Sequence, residues 1–410
     1  MSKRTVTREE LATPMLPYSD AVARVLAAIQ PLEPSSLPIR DARGLAIAEP
    51  VVAEHDVPGF DNSAMDGYAI VSADTDDATA DRPVVLRLVD DLPAGTEPRI
   101  TIARGTAAKI MTGAPLPPGA DAVVPWEDTH GLGNEVGVLV RVPPRKNVRP
   151  RGEDLRAGDE VISPGDVLRP VHIGVLASLG RTKVHAIPRP RVAVLSTGDE
   201  LVAPGGTLGP GQVFDANAAL GAAMCEQAGA TVTLTGHVGD DPKAVASWLE
   251  DAAGMADLIV TSGGASVGEH DWLREVLERH GELSLWRVAI KPGKPIAFGR
   301  VAGTPVLALP GNPGSAFVGL HVFVASAVRK LAGRDTHARA VRAKLSIDVK
   351  GSPSRTLFCR VRLEDDLAVP LPAQSSVVLS NIIPTEGFAI VPPGGLAAGT
   401  EVRVELLGDV

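Results

Sequence analysis

The sequence contains few cysteines and no paired cysteine spacing. Cys225 and Cys359 are the only two among its 410 residues. A disulfide framework and a zinc site built on cysteine pairs are therefore excluded. Both thiols are expected to be buried and unreactive in a reducing cytosol, which predicts a cytoplasmic location.

Long apolar runs and an excess of positive charge are also missing. No stretch reaches the ~18 consecutive apolar residues of a membrane span, and no signal peptide is evident near the start. The formal net charge of −9 argues against nucleic-acid and anionic-membrane partners. An anionic ligand would then need a local basic pocket or a metal ion.

The length predicts two to four domains, because one hydrophobic core rarely serves a chain of this size. A helix is predicted at 19–29, with Ser19 or Asp20 as its cap. Short apolar runs separated by Pro and Gly predict a small β-rich domain within 45–142, and Pro170 predicts a helix at 170–179.

From Arg191 onward, predicted strands and helices alternate, which is typical of a doubly wound, mostly parallel α/β sheet. After Gly333 the pattern returns to short strands, which predicts a C-terminal β-domain. The predicted strands of the α/β region are 191–196, 231–238, 257–262, 283–290 and 305–309, and its helices are 215–228, 241–253, 269–280 and 315–331.

We therefore predict an α/β plus β multidomain protein. The predicted domains are a discontinuous linking domain (1–52 and 143–188), a β-rich domain inserted in it (53–142), the α/β domain (189–333) and a C-terminal β-domain (334–410).

Polar clusters follow nearly every predicted strand of the α/β domain. Asp241 starts a helix and is predicted to be its cap. Ligands of such sheets bind at the carboxyl ends of the strands, so the clusters together predict a binding site. The clusters are 196–200, 239–241, 262–271, 291–295 and 309–315.

These clusters offer complementary chemistry. The turn at Gly263 and Gly264 is predicted to expose backbone N–H groups to an anion. Lys291 and Lys294 lie on a turn stiffened by prolines, which lowers the entropic cost of presenting two ammonium groups. Hard carboxylate oxygens suited to Mg²⁺ come from Glu200, Asp240 and Asp271.

Two motif similarities compete with this interpretation. Residues 264–268 satisfy the G-x-S-x-G elbow of α/β-hydrolases, with Ser266 as nucleophile, although His280, His321 and His337 are poorly placed for a triad. Residues 263–268 have the glycine spacing of a P-loop but lack its Lys-Ser/Thr pair, so that interpretation fails.

Further clusters lie outside the α/β domain. The loop at 58–69 is predicted to be an ordered turn that carries Asp61, which holds the turn, and Asp66. Arg149 and Arg151 could bind a phosphate or pair with Glu153 and Asp154. Arg355, Arg360 and residues 374–376 offer donors for a tetrahedral oxyanion.

Seven motifs in one order, spanning essentially the whole chain, resemble the MoeA family, the molybdopterin molybdenumtransferases that include related domains of gephyrin and plant proteins. The motifs are PGFDNSAMDGYA, IMTGAP, RGED, STGDEL, SGGASVGEHD, KPGKP and LPGNP. The resemblance implies insertion of molybdenum from molybdate into adenylylated molybdopterin, with hydrolysis of the adenylate, release of AMP and participation of Mg²⁺.

The resemblance also implies an architecture and partners. It implies a MogA-like, molybdopterin-binding α/β domain, a C-terminal β-barrel-like domain, and a homodimer with an active cleft between the α/β domain of one subunit and the β-rich domain of the other. The adenylylating enzyme and later cofactor-maturation proteins are further implied partners. A catalytically weak molybdopterin-binding scaffold remains an alternative, as does the hydrolase.

Matched position by position, the resemblance implies two sets of site residues. Arg287 departs from the Lys that bacterial relatives often have before the KPGKP turn, and its planar guanidinium changes the geometry offered to an oxyanion. The implied catalytic residues are Asp66, Thr112, Asp154, Glu200, Asp240, Asp271, Lys291, Arg360 and Ser375. The implied substrate-binding residues are Gly263, Gly264, Ser266, Arg287, Lys294, Pro310 and Pro313, and the implied Mg²⁺ ligands are Glu200, Asp240 and Asp271.

Overall fold

The computed structural model describes residues 15–264 and 272–408. The chain divides into two compact units. The smaller unit comprises 49–163 and 170–182, and the larger unit comprises 1–48, 164–169 and 183–410. The four-domain division stays a prediction.

The first helix, α1 (Tyr18–Ala27), begins one residue earlier than predicted. Pro17 occupies the N-cap position and no side chain caps the helix, so the prediction of a Ser19 or Asp20 cap is wrong. Ser19 lies inside the first turn, where its hydroxyl contacts Asp20. Three short strands follow: β1 (Ser35–Pro38), β2 (Ala46–Ile47) and β3 (Val51–Val52).

The smaller unit is β-rich, as predicted. Its remaining strands are β4 (Asn62–Ser63), β5 (Gly67–Ile70), β6 (Val84–Leu92), β7 (Thr106–Ile110), β8 (Ala122–Pro125), β9 (Thr129–Gly131), β10 (Glu135–Val138), β11 (Val148–Arg149) and β12 (Glu160–Ile162). Six of them form a curled sheet in the order β8-β5-β7-β6-β10-β9, and β4 pairs with β11 and β3 with β12. Short 3-10 turns occur at Ser72–Thr75 and Trp126–Asp128.

Alternating apolar side chains of the curled sheet form its core, including the fully buried Ile70, Leu86 and Val124. The helix predicted after Pro170 is present as α2 (Pro170–Ser178). Proline suits a first helical position because its fixed φ fits the helix and its missing N–H has no partner there anyway. The next strand, β13 (Lys183–Ile187), pairs with β1 and β2 in the larger unit.

The predicted α/β alternation is present from Arg191 onward. Its elements are β14 (Arg191–Thr197), β15 (Leu201–Val202), β16 (Val213–Phe214), α3 (Ala216–Gln227), β17 (Thr231–Val238), α4 (Pro242–Ala253), β18 (Leu258–Ser262), α5 (Trp272–His280), β19 (Gly281–Trp286), β20 (Ile290–Lys291), β21 (Ala297–Val301), β22 (Thr304–Leu309), α6 (Pro313–Gly319), a π-helical segment (Leu320–Val324) and α7 (Ala325–Leu331).

The α/β sheet has the order β17-β14-β18-β22-β21-β19. The first four strands are parallel, and β21 and β19 are antiparallel additions at one edge. Helices cover both faces. Val192 and Val194 pack with α3, α6 and α7, whereas Ala193 and Leu195 pack with α4 and α5. The doubly wound, mostly parallel prediction is therefore confirmed.

The predicted strand at 283–290 is wrong in its extent and its pairing. Strand β19 ends at Trp286, and Arg287 has a φ of 68°, a left-handed conformation that breaks the extended run. Residues Ile290–Lys291 form β20, which pairs with a strand of the C-terminal barrel. The sequence analysis also missed β21.

The helix predicted at 315–331 is continuous in space but changes its hydrogen-bonding pattern. It consists of α6, the π-helical segment and α7. The predicted cap Asp241 is confirmed, because it accepts a hydrogen bond from Lys243 N. Asp215, which was predicted to be the first residue of its helix, is instead the N-cap of α3 and accepts a hydrogen bond from Ala218 N.

The C-terminal region is a closed five-stranded barrel, which confirms the barrel-like prediction. The strands of this region are β23 (Ala340–Leu345), β24 (Val349–Lys350), β25 (Thr356–Glu364), β26 (Leu367–Pro370), β27 (Gly387–Val391), β28 (Gly395–Leu396) and β29 (Glu401–Leu406). Of these, β24 and β28 pair with each other outside the barrel. The ring β25-β26-β23-β29-β27 closes because β25 also pairs with β27. No helix in residues 15–264 or 272–408 is long and apolar enough to cross a membrane.

Candidate active site

A cavity of about 780 Å³ lies at the carboxyl ends of the parallel strands of the larger unit. This volume is within the range of ligand pockets, roughly 300–1,000 Å³. The strand-end clusters around β14, β17, β18 and β22 converge on it, as the sequence predicted. Its lining includes six of the predicted site residues: Glu200, Asp240, Gly263, Gly264, Pro310 and Pro313.

Two of the carboxylates that line the cavity, Glu200 and Asp240, are placed by adjacent parallel strands. Glu200 follows β14 and Asp240 follows β17, and both are exposed. Asp199 fixes the second loop, because its Oδ1 accepts a hydrogen bond from Asp240 N at 3.0 Å. The ring Nε2 of His237 contacts the carbonyl of Gly198 at 2.8 Å, which ties the same two strand ends together.

The donor set of the cavity fits a divalent cation only in part. Carboxylate oxygens are preferred by Mg²⁺, and Glu200 and Asp240 supply two. The third predicted ligand, Asp271, lies outside the described residues, as does Ser266. Within the part of the chain that the structure describes, no group of three His, Cys, Asp or Glu side chains could hold a metal ion.

The floor of the cavity is formed where the Gly263–Gly264 turn approaches the end of β14. Gly263 has a φ of 93°, and a Cβ there would lie 2.3 Å from the carbonyl oxygen of Thr197, so only glycine fits. The N–H of Gly263 donates to Leu309 O at 3.2 Å. One of the amide groups expected to receive an anion is therefore already engaged.

The first turn of α3 joins several of these elements. Asp215, which is 6% exposed, accepts hydrogen bonds from Ser196 Oγ and Ala218 N, both at 3.0 Å. Two residues later, the Nδ2 of Asn217 donates to Ser262 Oγ and to Gly311 O, both at 2.7 Å. The start of α3 is thus fastened to the ends of β14, β18 and β22.

A cluster of cations surrounds the KPGKP turn. Burial, followed by the charges of Arg287 and Arg355, lowers the pKa of Lys294 below its usual value. Arg287 is only 6% exposed, whereas Lys291 is exposed on β20. An anion bound beside these cations would stabilise their charged forms.

Arg360 lies on the barrel strand β25 and is 2% exposed. Its guanidinium donates to the carbonyls of Ser375 at 3.0 Å, Ala373 at 3.1 Å and Val378 at 3.3 Å. In this arrangement Arg360 holds the loop at 373–379, whose Leu379 lines the cavity. The role of Ser375 as a catalytic residue stays a prediction.

In the smaller unit, the structure brings Asp66 and Thr112 together. Asp66 Oδ1 accepts hydrogen bonds from Thr112 N at 2.7 Å and from Thr112 Oγ1 at 2.8 Å. These two donors, the backbone N–H first, lower the pKa of Asp66 below its usual range. The exposed carboxylate is thereby kept ionised and held in one orientation.

The neighbouring acid, Asp61, holds the loop, as predicted. It accepts hydrogen bonds from Arg145 Nη1 at 2.6 Å and from Arg151 N at 2.7 Å. The side chain of Arg151 pairs with Asp56, not with Glu153 or Asp154. A second cavity, of about 450 Å³, lies beside this loop and is lined by Phe60, Asn62, Gly113, Arg149, Glu153 and Asp154, among others.

Several residues that line the larger cavity were not predicted as site residues, among them Thr197, Phe214 and Asn217. Thr197 was part of a recognised cluster but was not selected from it. Phe214 lies on β16 and is 46% exposed. Asn217 had a readable signal, since side chains in the first turn of a helix tilt toward its N-terminus, which here lies at the strand ends.

Comparison with known proteins places this site in a family. The sequence matches the MoeA N-terminal region (domain I and II) over residues 16–180, the probable molybdopterin binding domain over 193–330 and the MoeA C-terminal region (domain IV) over 342–407. It is 38% identical over 399 residues to molybdopterin molybdenumtransferase 2 of Mycobacterium tuberculosis, with 94% of this chain and 98% of the relative covered. The chain belongs to the MoeA family.

Other MoeA relatives agree. A molybdopterin molybdenumtransferase of Nostoc is 35% identical, with 88% of this chain and 86% of the relative covered. The crystal structure of a molybdopterin biosynthesis MoeA protein from Pyrococcus horikoshii superimposes with a TM-score of 0.85 at 33% identity, covering 96% and 99% of the two chains. The resemblance to this family predicted from the motifs is confirmed.

Proposed function

We propose that this chain is a molybdopterin molybdenumtransferase that acts in molybdenum cofactor biosynthesis. It transfers molybdenum from molybdate to adenylylated molybdopterin and hydrolyses the adenylate with release of AMP. The observation that carries the proposal is the cavity at the strand ends, where Glu200, Asp240 and the Gly263–Gly264 turn meet in a chain of the MoeA family.

The charge of the cavity supports a cation-dependent reaction. A substrate that carries phosphates would be repelled by Glu200 and Asp240, which both line the cavity. A bound Mg²⁺, with Asp271 as a third candidate ligand, would neutralise the phosphates and so favour attack of water on the phosphoanhydride. The cavity residues then hold the adenylate in one orientation while AMP leaves.

The cationic turn supports binding of an oxyanion such as molybdate. Lys294 is partly buried, which lowers its pKa most, and the charges of Arg287 and Arg355 lower it further. A doubly charged tetrahedral anion relieves this repulsion. Lys291 and Ser375 remain candidates for further contacts.

The smaller unit supplies a second set of groups. Asp66, oriented by Thr112, and Asp154 are presented on its exposed loops. We propose a homodimer in which these residues of one subunit complete the active site of the other. Gel filtration tests this arrangement, because elution at the size of a monomer would contradict it.

The hydrolase alternative receives little support from the described residues. His321 is 5% exposed and contacts Glu405 at 3.2 Å, and His337 contacts Asp335 at 2.8 Å. Neither lines the cavity. The scaffold alternative has no specific observation in its favour.

The deciding experiment incubates purified protein with adenylylated molybdopterin, Mg²⁺ and molybdate. The proposal expects AMP release that depends on molybdate and is abolished by chelation of the cation. AMP release that is indifferent to molybdate would contradict it. Ser266→Ala separates the two alternatives: a hydrolase that uses Ser266 as its nucleophile would lose all activity, whereas the transferase should keep substantial activity even though Ser266 is an implied substrate-binding residue.

A further inference from the structure

The second cavity, which lies in the smaller unit, is lined by charged side chains that the described protein does not neutralise. They are Arg149, Glu153 and Asp154, and all three residues are exposed. No ion pair or side-chain hydrogen bond joins any of them to another residue in 15–264 or 272–408. The cavity volume of about 450 Å³ is within the range of pockets that bind small molecules.

Neighbouring charges on the same loops are paired. Arg145 Nη1 lies 2.6 Å from Asp61 Oδ2, and Arg151 Nε contacts Asp56 Oδ2. These two ion pairs join the loop that precedes β4 to the loops around β11. The three charged residues of the cavity take no part in this network, so their charged groups are available to a ligand.

One wall of the cavity is aromatic. Phe60 lines it and is 47% exposed. The carbonyl of Phe60 accepts a hydrogen bond from Asn62 Nδ2 at 3.3 Å, and Asn62 is only 4% exposed. A buried residue therefore holds the turn that carries Phe60, and the exposed phenyl group offers a surface on which a flat ring can stack.

These groups together favour a flat ring that has hydrogen-bond donors on one edge and an acceptor on another. A carboxylate only accepts hydrogen bonds, and a guanidinium only donates them. The pyrimidinone part of a pterin presents an amino group and a ring N–H side by side, which suit a carboxylate, and a carbonyl oxygen, which suits a guanidinium. Adenine instead places an accepting ring nitrogen beside its amine, so it pairs poorly with a carboxylate.

A free oxyanion fits this cavity less well than the larger one. Two carboxylates, Glu153 and Asp154, face a single guanidinium, that of Arg149. Their combined charge repels phosphate and molybdate. The composition of the lining therefore selects a neutral, donor-rich ring.

Building on the proposed function, we propose that the cavity of the smaller unit binds the pterin ring of the substrate. Phe60 stacks on the ring, and Arg149 donates to its carbonyl oxygen. Glu153 or Asp154 accepts hydrogen bonds from the amino group and the adjacent N–H. The phosphates of the substrate are left to the carboxylates and the Mg²⁺ proposed for the larger cavity.

Two ring probes test the proposal on the full chain: a hydroxymethyl pterin, and the matching lumazine, in which an oxygen replaces the amino group. The fluorescence of the two rings measures their affinities. The wild type should bind the pterin about 10-fold more tightly, because the lumazine presents an acceptor where a carboxylate needs a donor. This preference should disappear in Asp154→Asn or in Glu153→Gln. No preference in the wild type, or a preference that both variants keep, would overturn the proposal.

The smaller unit supplies matched controls. Phe60→Leu keeps an apolar side chain but removes the ring, and should weaken binding of both probes about 3- to 10-fold. Trp126 is 42% exposed, Glu127 is exposed, and neither lines the cavity. Trp126→Leu and Glu127→Gln should bind both probes as the wild type does. Equal losses in Phe60→Leu and Trp126→Leu would overturn the stacking on Phe60.

AMP with Mg²⁺ distinguishes the pterin from the ribose of the substrate, because ribose hydroxyl groups also donate to carboxylates. Asp154→Asn and Glu153→Gln should leave AMP binding unchanged. Loss of AMP binding with unchanged pterin binding would assign the carboxylates to the ribose and overturn the proposal.

Molybdate-dependent AMP release by the wild type tests the proposed function separately. If the release occurs but the wild type shows no preference for the pterin, only the assignment of the pterin to this cavity fails. If no release occurs while the preference and its loss in a carboxylate variant are both found, the proposed function fails and the pterin site stands.

Discussion

The two candidate sites differ in how far the protein satisfies its own polar groups. In the smaller unit, Asp66 is hydrogen-bonded to Thr112 and Asp61 is hydrogen-bonded to Arg145 and Arg151. In the larger unit, buried atoms of Thr197 and Asn217 lack partners within the described residues. The first region presents a fixed carboxylate, whereas the second keeps two buried polar atoms without a partner among the described residues.

The largest effect is expected from removing a carboxylate of the cavity. Glu200→Gln should lower molybdate-dependent AMP release about 10²-fold and raise the Mg²⁺ concentration needed for half-maximal activity, because the neutral amide binds a cation poorly. Asp66→Asn should lower activity without changing the Mg²⁺ requirement. The measurement is AMP release over a Mg²⁺ titration.

Glu282→Gln is the matched control for this pair, because Glu282 is an exposed acid on β19 that does not line the cavity. It should behave as the wild type. An equal shift in the Mg²⁺ requirement for Glu200→Gln and Asp66→Asn would break the distinction between the two sites.

Substitution of the glycine at the floor should destabilise the larger unit. Gly263→Ala forces a left-handed φ on alanine and a clash with the Thr197 carbonyl, and should cost about 3 kcal/mol of unfolding free energy or more. Gly303→Ala imposes a similar φ of 85° but meets nothing within 4 Å, and should cost only about 1 kcal/mol. Denaturant unfolding measures both, and equal losses would show that the close approach does not matter.

A smaller effect is expected at the loop that borders the cavity. Arg360→Lys loses the planar group that binds three carbonyls, and should cost about 2 kcal/mol and speed amide exchange in residues 373–379. Arg362→Lys alters only an exposed ion pair with Glu364, and should change stability by less than about 0.5 kcal/mol. Unchanged exchange in Arg360→Lys would refute the role in holding the loop.

The smallest expected effect is a shift in the pKa of Asp66. Donors from Thr112 stabilise the charged form of Asp66 and lower its pKa. Thr112→Val removes the hydroxyl donor and keeps the backbone N–H, so the pKa of Asp66 should rise toward its usual value. Any activity that needs ionised Asp66 should then be lost at a higher pH as the solution is acidified. Carbon NMR of the Asp66 carboxyl measures the shift, and an unchanged pKa would contradict the contact.

Local sequence patterns correctly predicted the helices, caps and strands that depend mainly on the residues within them. The helix after Pro170, the cap at Asp241 and the strand Thr231–Val238 agree with the structure. The predicted convergence of strand-end residues also agrees, because parallel strands bring their carboxyl ends together.

Features that depend on distant partners could not be predicted in this way. The sequence predicts one strand over 283–290, yet the left-handed conformation of Arg287 divides this segment between two sheets. The Thr197 hydroxyl lies against the Gly263–Gly264 turn, and no local sequence pattern records how closely that turn approaches β14. The three donors of Arg360 reach a loop more than ten residues away in the chain.

The lysine turn, residues 291–295, lies between two different sheets. On one side the turn continues from β20, which is hydrogen-bonded to the barrel strand β25, and on the other side it runs into β21 of the α/β sheet. The turn therefore connects the barrel strand β25 to the α/β sheet. A shift of the barrel relative to the α/β sheet would move Lys291 relative to Lys294. The distance between the two ammonium groups therefore depends on how the two sheets are aligned.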